Sequence, residues 1–251
     1  MTARDGKAAR RIFRRSQETP AADVSLIAAE FLAGFQLVRK IDRPAVSIFG
    51  SARVSEESST YESARATGRS FAEAGFAVVT GGGPGVMAAA NRGCKEGGGL
   101  SVGFSIDLPL EQGLNEWCDL SLTFDHFHVR KVMFVKAAEG FVIFPGGFGT
   151  QDELWEALTL IQTRKVEHFP VVLIGAEYWQ PLVALLDRMA IEGTIARADL
   201  DLLLVTDDLD RAMRHLEVQA IEHFGLRARP LPKPSRWLGE LPPGVRGTPH
   251  R

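Results

Sequence analysis

The sequence predicts an α/β protein built on one doubly wound, mostly parallel sheet with helices on both faces, a three-layer α/β/α arrangement. Three observations carry this. Short apolar runs alternate with longer helical patterns from residue 45 onwards. The runs are apolar almost throughout rather than at every second residue, as expected where both faces of a sheet are covered. Several of them empty into glycine loops that open a helix, the order expected of parallel strands joined by right-handed crossovers.

Residues 1–20 carry Arg4, Lys7, Arg10, Arg11, Arg14 and Arg15 with almost no apolar side chains, and read as a disordered basic arm. Over 24–38 the apolar residues Leu26, Ile27, Phe31, Leu32, Phe35 and Val38 mark an amphipathic helix, broken by Asp42-Arg43-Pro44. Strands follow over 45–50, 76–80, 100–104, 120–124, 141–144, 170–175 and 202–206. Helices fill the intervals over 61–74, 86–95, 127–138, from Thr150 onwards, 179–190 and 209–222, with Gly75 closing the first of these. Residues 21–225 therefore form a single domain, and 226–251 a Pro- and Arg-rich tail.

A net charge of −2 argues against a general nucleic-acid binder. No apolar run looks long enough to span a bilayer, and the first residues lack the apolar core of a signal peptide. A cytoplasmic setting is expected, with Cys94 and Cys118 as reduced, packed thiols, since they make neither a CxxC nor a zinc spacing.

The chemistry concentrates where the run 141–144 meets Pro145-Gly146-Gly147-Phe148-Gly149 and a helix begins. A glycine loop at a helix start presents free N–H groups and the positive end of the helix dipole to an anion. Thr150 adds a hydroxyl and Glu153 a carboxylate. The same two residues also fit a capping box, Thr150-x-x-Glu153, in which they merely satisfy the first N–H groups of the helix. Two further loops, 50–53 and 81–85, fall on the same sheet edge, where ligands of open α/β sheets sit. The second fits G-x-G-x-x-G/A but lacks an acidic residue at the end of the next strand. No Walker loop, metal-spaced histidine cluster or G-x-S-x-G elbow is present. The remaining set suits cleavage of an N-glycosidic bond. Glu153 would stabilise an oxocarbenium-like sugar and act on water, and Arg130 would hold departing or phosphate charge. Arg130 equally fits a surface helix cation, and the same pocket could hold a nucleotide without cleaving it.

With these residues the sequence resembles the Lonely Guy (LOG) family of cytokinin-activating phosphoribohydrolases, Rossmann-like proteins once labelled lysine decarboxylases. The motif P-G-G-x-G-T-x-x-E stands complete from Pro145 to Glu153, the Arg-Lys pair is Arg130-Lys131, and G-G-G-x-G-x-M runs from Gly81 to Met87. Segments 49–53, 108–112 and 160–163 look like the longer bacterial branch, and the resemblance covers about 45–220. His128 stands where that branch usually has an aromatic residue. The resemblance implies hydrolysis of a nucleoside 5′-monophosphate, such as AMP or an N6-modified AMP, to free base and ribose 5-phosphate, with no cofactor. It makes Glu153 and Arg130 the catalytic pair. Lys131, Gly146, Gly147, Phe148, Gly149, Thr150 and Thr159 become substrate contacts, joined by Ser51, Gly82, Gly83, Gly85 and Met87. It also implies an acidic loop contact, assigned to Glu111 beside Gln112, and a homodimer or higher oligomer. The older lysine decarboxylase label finds no support, because nothing marks Lys131, Lys136 or Lys165 as a pyridoxal-phosphate lysine.

Overall fold

The structure is a computed structural model that describes residues 19–108, 113–166 and 169–218. Seven strands form one sheet: β1 (Ala45–Phe49), β2 (Ala77–Thr80), β3 (Ser101–Ile106), β4 (Leu120–Phe124), β5 (Gly140–Ile143), β6 (Val171–Leu173) and β7 (Leu203–Val205). Their spatial order is β4-β3-β2-β1-β5-β6-β7, and every pairing is parallel. The chain runs outward from β1 to β4, then returns to the far side of β1 as β5. The crevice between the β1 and β5 loops is the switch point where doubly wound sheets take ligands.

The helices are α1 (Pro20–Val38), α2 (Ser59–Glu73), α3 (Val86–Glu96), α4 (Phe127–Ala137), α5 (Phe148–Gln162), α6 (Ala176–Ile191) and α7 (Leu209–Val218). Alternate residues of each strand point to opposite faces. Phe49, Phe141 and Ile143 join α1, α4, α5 and α6 in one core, while Ile48, Val142 and Phe144 join α2, α3 and α7 in the other. The first core is aromatic: Phe49 packs edge-on against Phe134 and Phe141, and Phe104 against Phe124. Both faces are therefore sealed over the central strands, which are mostly apolar, whereas the edge strand β4 alternates and leaves Ser121 and Thr123 exposed.

Most element limits move by one or two residues from those expected. Two differences matter more. α1 begins at Pro20, because Thr19 caps it and proline suits a first helical turn. The resulting 19-residue helix has the length and composition of a membrane crossing, which corrects the expectation that no apolar run reaches that length. It is docked on the domain, however, with Gly34 and Leu37 buried and Ile27, Phe31 and Val38 packed on the core. A 3-10 turn over Arg197–Leu202, which no sequence signal marked, precedes β7. The basic arm before Thr19 and the tail over 226–251 lie outside the described residues.

Candidate active site

The loops after β1, β2 and β5 meet over a pocket of about 840 Å³ at the switch point. Backbone bonds lock them together: the Ser51 N–H donates to the Pro145 carbonyl at 3.0 Å, and the Val86 N–H to the Ser51 carbonyl at 3.1 Å. Gly85 sits at φ +65° under that crossing, where a Cβ would run into the Ser51 carbonyl. It shapes the pocket from behind rather than lining it.

α5 opens at Phe148, with Gly147 as its N-cap and no side-chain cap. The expected start at Thr150 is thus corrected by two residues, and the capping-box reading goes with it. Thr150 lies inside the first turn, and Glu153 is a full turn too deep to reach the helix end. By helix geometry the N–H groups of Phe148, Gly149 and Thr150 have no intrahelical acceptor, since the first bond is Gln151 N–H to the Gly147 carbonyl at 3.0 Å. They open onto the pocket with the positive end of the helix dipole behind them. A Cβ built on Gly147 or Gly149 meets nothing within 4 Å, so the space in front of both is free for a ligand. Gly146 does something different. A Cβ there would strike the Thr150 side chain, so this glycine makes room for the buried threonine.

Glu153 is only 4% exposed, at the pocket wall. Its Oε1 accepts no hydrogen bond and stands 3.8 Å from Nη2 of Arg130, beyond hydrogen-bond length. Burial pushes its carboxyl up to about 7, against the pull of Arg130 and Lys131 and with a smaller push from Glu156 and Asp152. A buried carboxylate left short of partners is costly, and such groups concentrate at functional sites. Arg130 reaches it from α4, its guanidinium 5.1 Å from the Phe127 ring centre and 5.6 Å from that of Phe134. Among the described residues no group of three His, Cys, Asp or Glu side chains is placed to hold a metal ion.

Of the site residues expected from sequence, the pocket brings together Glu153, Arg130, Ser51, Gly82, Gly83, Met87, Gly147, Phe148, Gly149 and Thr150. Gly85 and Gly146 support it as described. Lys131 and Thr159 lie off its wall. Lys131 is 3.0 Å from Asp152 and 2.5 Å from Glu156. Burial works against its charge, but these carboxylates outweigh it and raise its pKa. Thr159 is exposed, its hydroxyl donating to the Trp155 carbonyl at 2.7 Å. Glu111 and Gln112 fall outside the described residues. Burial pushes the Cys94 thiol up to about 11 and that of Cys118 to about 12, which keeps both protonated near neutrality.

Sequence reasoning missed several wall residues. Arg53 lines the pocket beside Ser51. Ser105 and Thr123, whose hydroxyls are 2.7 Å apart, line the β3–β4 side. Phe127 and Phe134 do carry a signal, since they flank Arg130 at i−3 and i+4 and share its helix face.

The family described as "possible lysine decarboxylase" matches residues 87–216, over half of the chain. The chain belongs to this family. Its relatives are named for another activity. It is 31% identical over 155 residues to a probable cytokinin riboside 5′-monophosphate phosphoribohydrolase of Oryza sativa subsp. japonica, covering 60% of this chain and 62% of that one. To the enzyme of that name from Rhodococcoides fascians it is 28% identical over 175 residues, covering 67% and 86%. To that of Mycobacterium marinum it is 30% identical over 155 residues, covering 61% and 83%. The match thus spans less than two thirds of the rice relative's length and over four fifths of the bacterial ones. Among solved structures, the Moco carrier protein of Chlamydomonas reinhardtii aligns with TM-score 0.52 at 23% identity over 72% of this chain and 99% of that one. The molybdenum cofactor binding protein of Rippkaea orientalis aligns with TM-score 0.52 at 17% identity, over 70% and 96%. At these identities the likeness concerns the fold alone.

Proposed function

We propose that this protein hydrolyses the N-glycosidic bond of a nucleoside 5′-monophosphate, AMP or an N6-modified AMP of cytokinin type, to the free base and ribose 5-phosphate. The buried, partner-poor carboxylate of Glu153 carries this reading. The phosphate would rest on the N–H groups of Phe148, Gly149 and Thr150, which places the ribose against Glu153 and Arg130. As the bond to the base breaks, positive charge develops on the sugar, and ionised Glu153 stabilises it. A water molecule adds to C1′ and yields a proton to the carboxylate, and that proton passes on to the departing base, leaving Glu153 ionised again. A carboxyl with a pKa near neutrality is suited to such exchange. Relatives named phosphoribohydrolases support the reaction class. A homodimer belongs to the same reading, and the exposed apolar side chains Phe127, Val132 and Phe148 on α4 and α5 would suit its interface; a cytoplasmic setting is proposed with it.

Incubation with AMP, GMP, CMP and N6-isopentenyl-AMP, with chromatography of the products, tests the proposal. Free base and ribose 5-phosphate should appear in equal amounts from at least one of them. Tight binding of a nucleotide without release of base, unchanged in Glu153→Ala, would establish the alternative, a non-catalytic nucleotide carrier.

A further inference from the structure

Helix α1 lies outside the segment matched by the family, yet it grips the helix that bears Arg130. The contact is made by Glu30, whose side chain is 18% exposed. Its Oε1 accepts the Asp125 N–H at 2.7 Å, and its Oε2 lies 3.0 Å from Nδ1 of His126. His126 is the N-cap of α4 and makes no side-chain cap of its own. The His126 carbonyl accepts the Arg130 N–H at 3.2 Å. One carboxylate thus holds the two residues before α4, and the second of them holds Arg130 through its backbone. A negative charge at this helix start is favourable in its own right. Further along, Gly34 lies so close to Met133 that a Cβ there would stand 2.7 Å from its Sδ, so this glycine lets the Met133 side chain pack directly on the α1 backbone. Lys136, over the Phe35 ring at 5.7 Å, closes the far end of the contact.

We infer that Glu30 is a positioning residue that fixes the first turn of α4 and thereby the approach of Arg130 to Glu153. The inference rests on the proposed reaction for its kinetic consequence, but not for its geometry. The site is assembled from two parts: the glycine loops belong to the sheet, and the angle of the arginine is set by a helix added in front of it. Loss of the clasp leaves the phosphate loop untouched, so substrate affinity should survive while turnover falls.

The test compares Glu30→Ala and Glu30→Gln in the full-length protein by two readouts. The first is kcat and KM on the best nucleoside monophosphate. Glu30→Ala should lose about tenfold in kcat with KM within about twofold, the size expected of a small misplacement of a catalytic group. Glu30→Gln keeps an acceptor for the Asp125 N–H and should restore kcat to within about threefold. The second readout is the carboxyl titration of Glu153 by carbon-13 NMR, with its signal assigned through Glu153→Gln. Its midpoint, near 7 in the wild type, should move upward in Glu30→Ala as the charge of Arg130 withdraws. An unchanged midpoint overturns the assignment, even if the variant melts earlier, and does so whether or not any nucleotide is cleaved. A wild type that releases no base while the midpoint moves removes the reaction and leaves the positioning role standing.

Discussion

Two charged clusters lie side by side between α4 and α5, and they are built differently. Arg130 and Glu153 face the pocket with side chains 13% and 5% exposed, and stand 3.8 Å apart with a Glu153 carboxylate oxygen lacking any hydrogen bond. The adjacent Lys131, its side chain 16% exposed, lies 3.0 Å from Asp152 and 2.5 Å from Glu156, whose side chains are 52% and 31% exposed. In the second cluster the ammonium pairs with both carboxylates and water reaches Asp152, although the buried Oε2 of Glu156 makes no well-formed hydrogen bond either. In the first, a carboxylate with almost no exposure keeps one oxygen without a hydrogen bond, at a cost in folding free energy. The family motif contains members of both clusters, so the motif alone does not distinguish the helix clamp from the chemistry. Distance and burial do.

The largest expected effect falls on Glu153. Glu153→Gln should lose at least about a hundredfold in turnover, in the range of lost general-base catalysis. Its stability should move the other way. A carboxyl whose pKa rises on folding contributes stability below its ordinary value and loses it as pH climbs towards the folded value. For Glu153 that window runs from about 4.5 to about 7. The variant should therefore match the wild type near pH 4.5 and exceed it at pH 7.5, by up to about 3 kcal/mol if the full shift is realised. Thermal melts across that range check it. A variant that melts much earlier yet keeps its turnover would make Glu153 structural. The acid limb of wild-type kcat/KM should fall near pH 7, since the free enzyme's base must be ionised.

Next comes the loop in front of the pair. Gly147 has ordinary backbone angles and open space before it. Gly147→Val should therefore fold while its branched side chain takes the place of the phosphate. AMP binding followed by calorimetry should be lost, with the melting temperature within a few degrees of the wild type. Unchanged affinity would remove the phosphate from this loop.

The smallest effect is expected at the Lys131 cluster. Lys131→Met should keep turnover within about threefold, because its ammonium does not line the pocket, and should lower stability by about 1 kcal/mol for a partly exposed pair. A hundredfold loss of turnover would return Lys131 to the site and collapse the distinction between the clusters.

Most of the sheet was legible because burial on both faces writes the central strands as apolar runs, and glycines mark where most of these end. The starts of α1 and α5 were less so. Both are set by residues that look like loop in one dimension, Thr19-Pro20 and Gly147-Phe148, and only the caps show where the helix turns in. The pairing of Arg130 with Glu153 followed from the motif, whereas the contrast between Arg130 and Lys131 did not. Adjacent helical residues differ by about 100° in direction, and the sequence names both cations without giving the phase. Phe127 and Phe134 hold that phase, for they bracket Arg130 and not Lys131. Glu30 was out of reach altogether, since its partners Asp125 and His126 lie far along the chain and no local pattern links them.

The three glycines of 146–149 differ in a way that bears on how this segment can vary. Gly146 is required by the interior, where the Thr150 side chain fills the space a Cβ would need. Gly147 and Gly149 face an empty volume and are required only by whatever enters it. Selection for abundance alone would therefore hold the first and release the other two. A lineage that abandoned its substrate would drift at 147 and 149 while keeping 146, and the order in which these glycines disappear would date the loss of function against the survival of the fold.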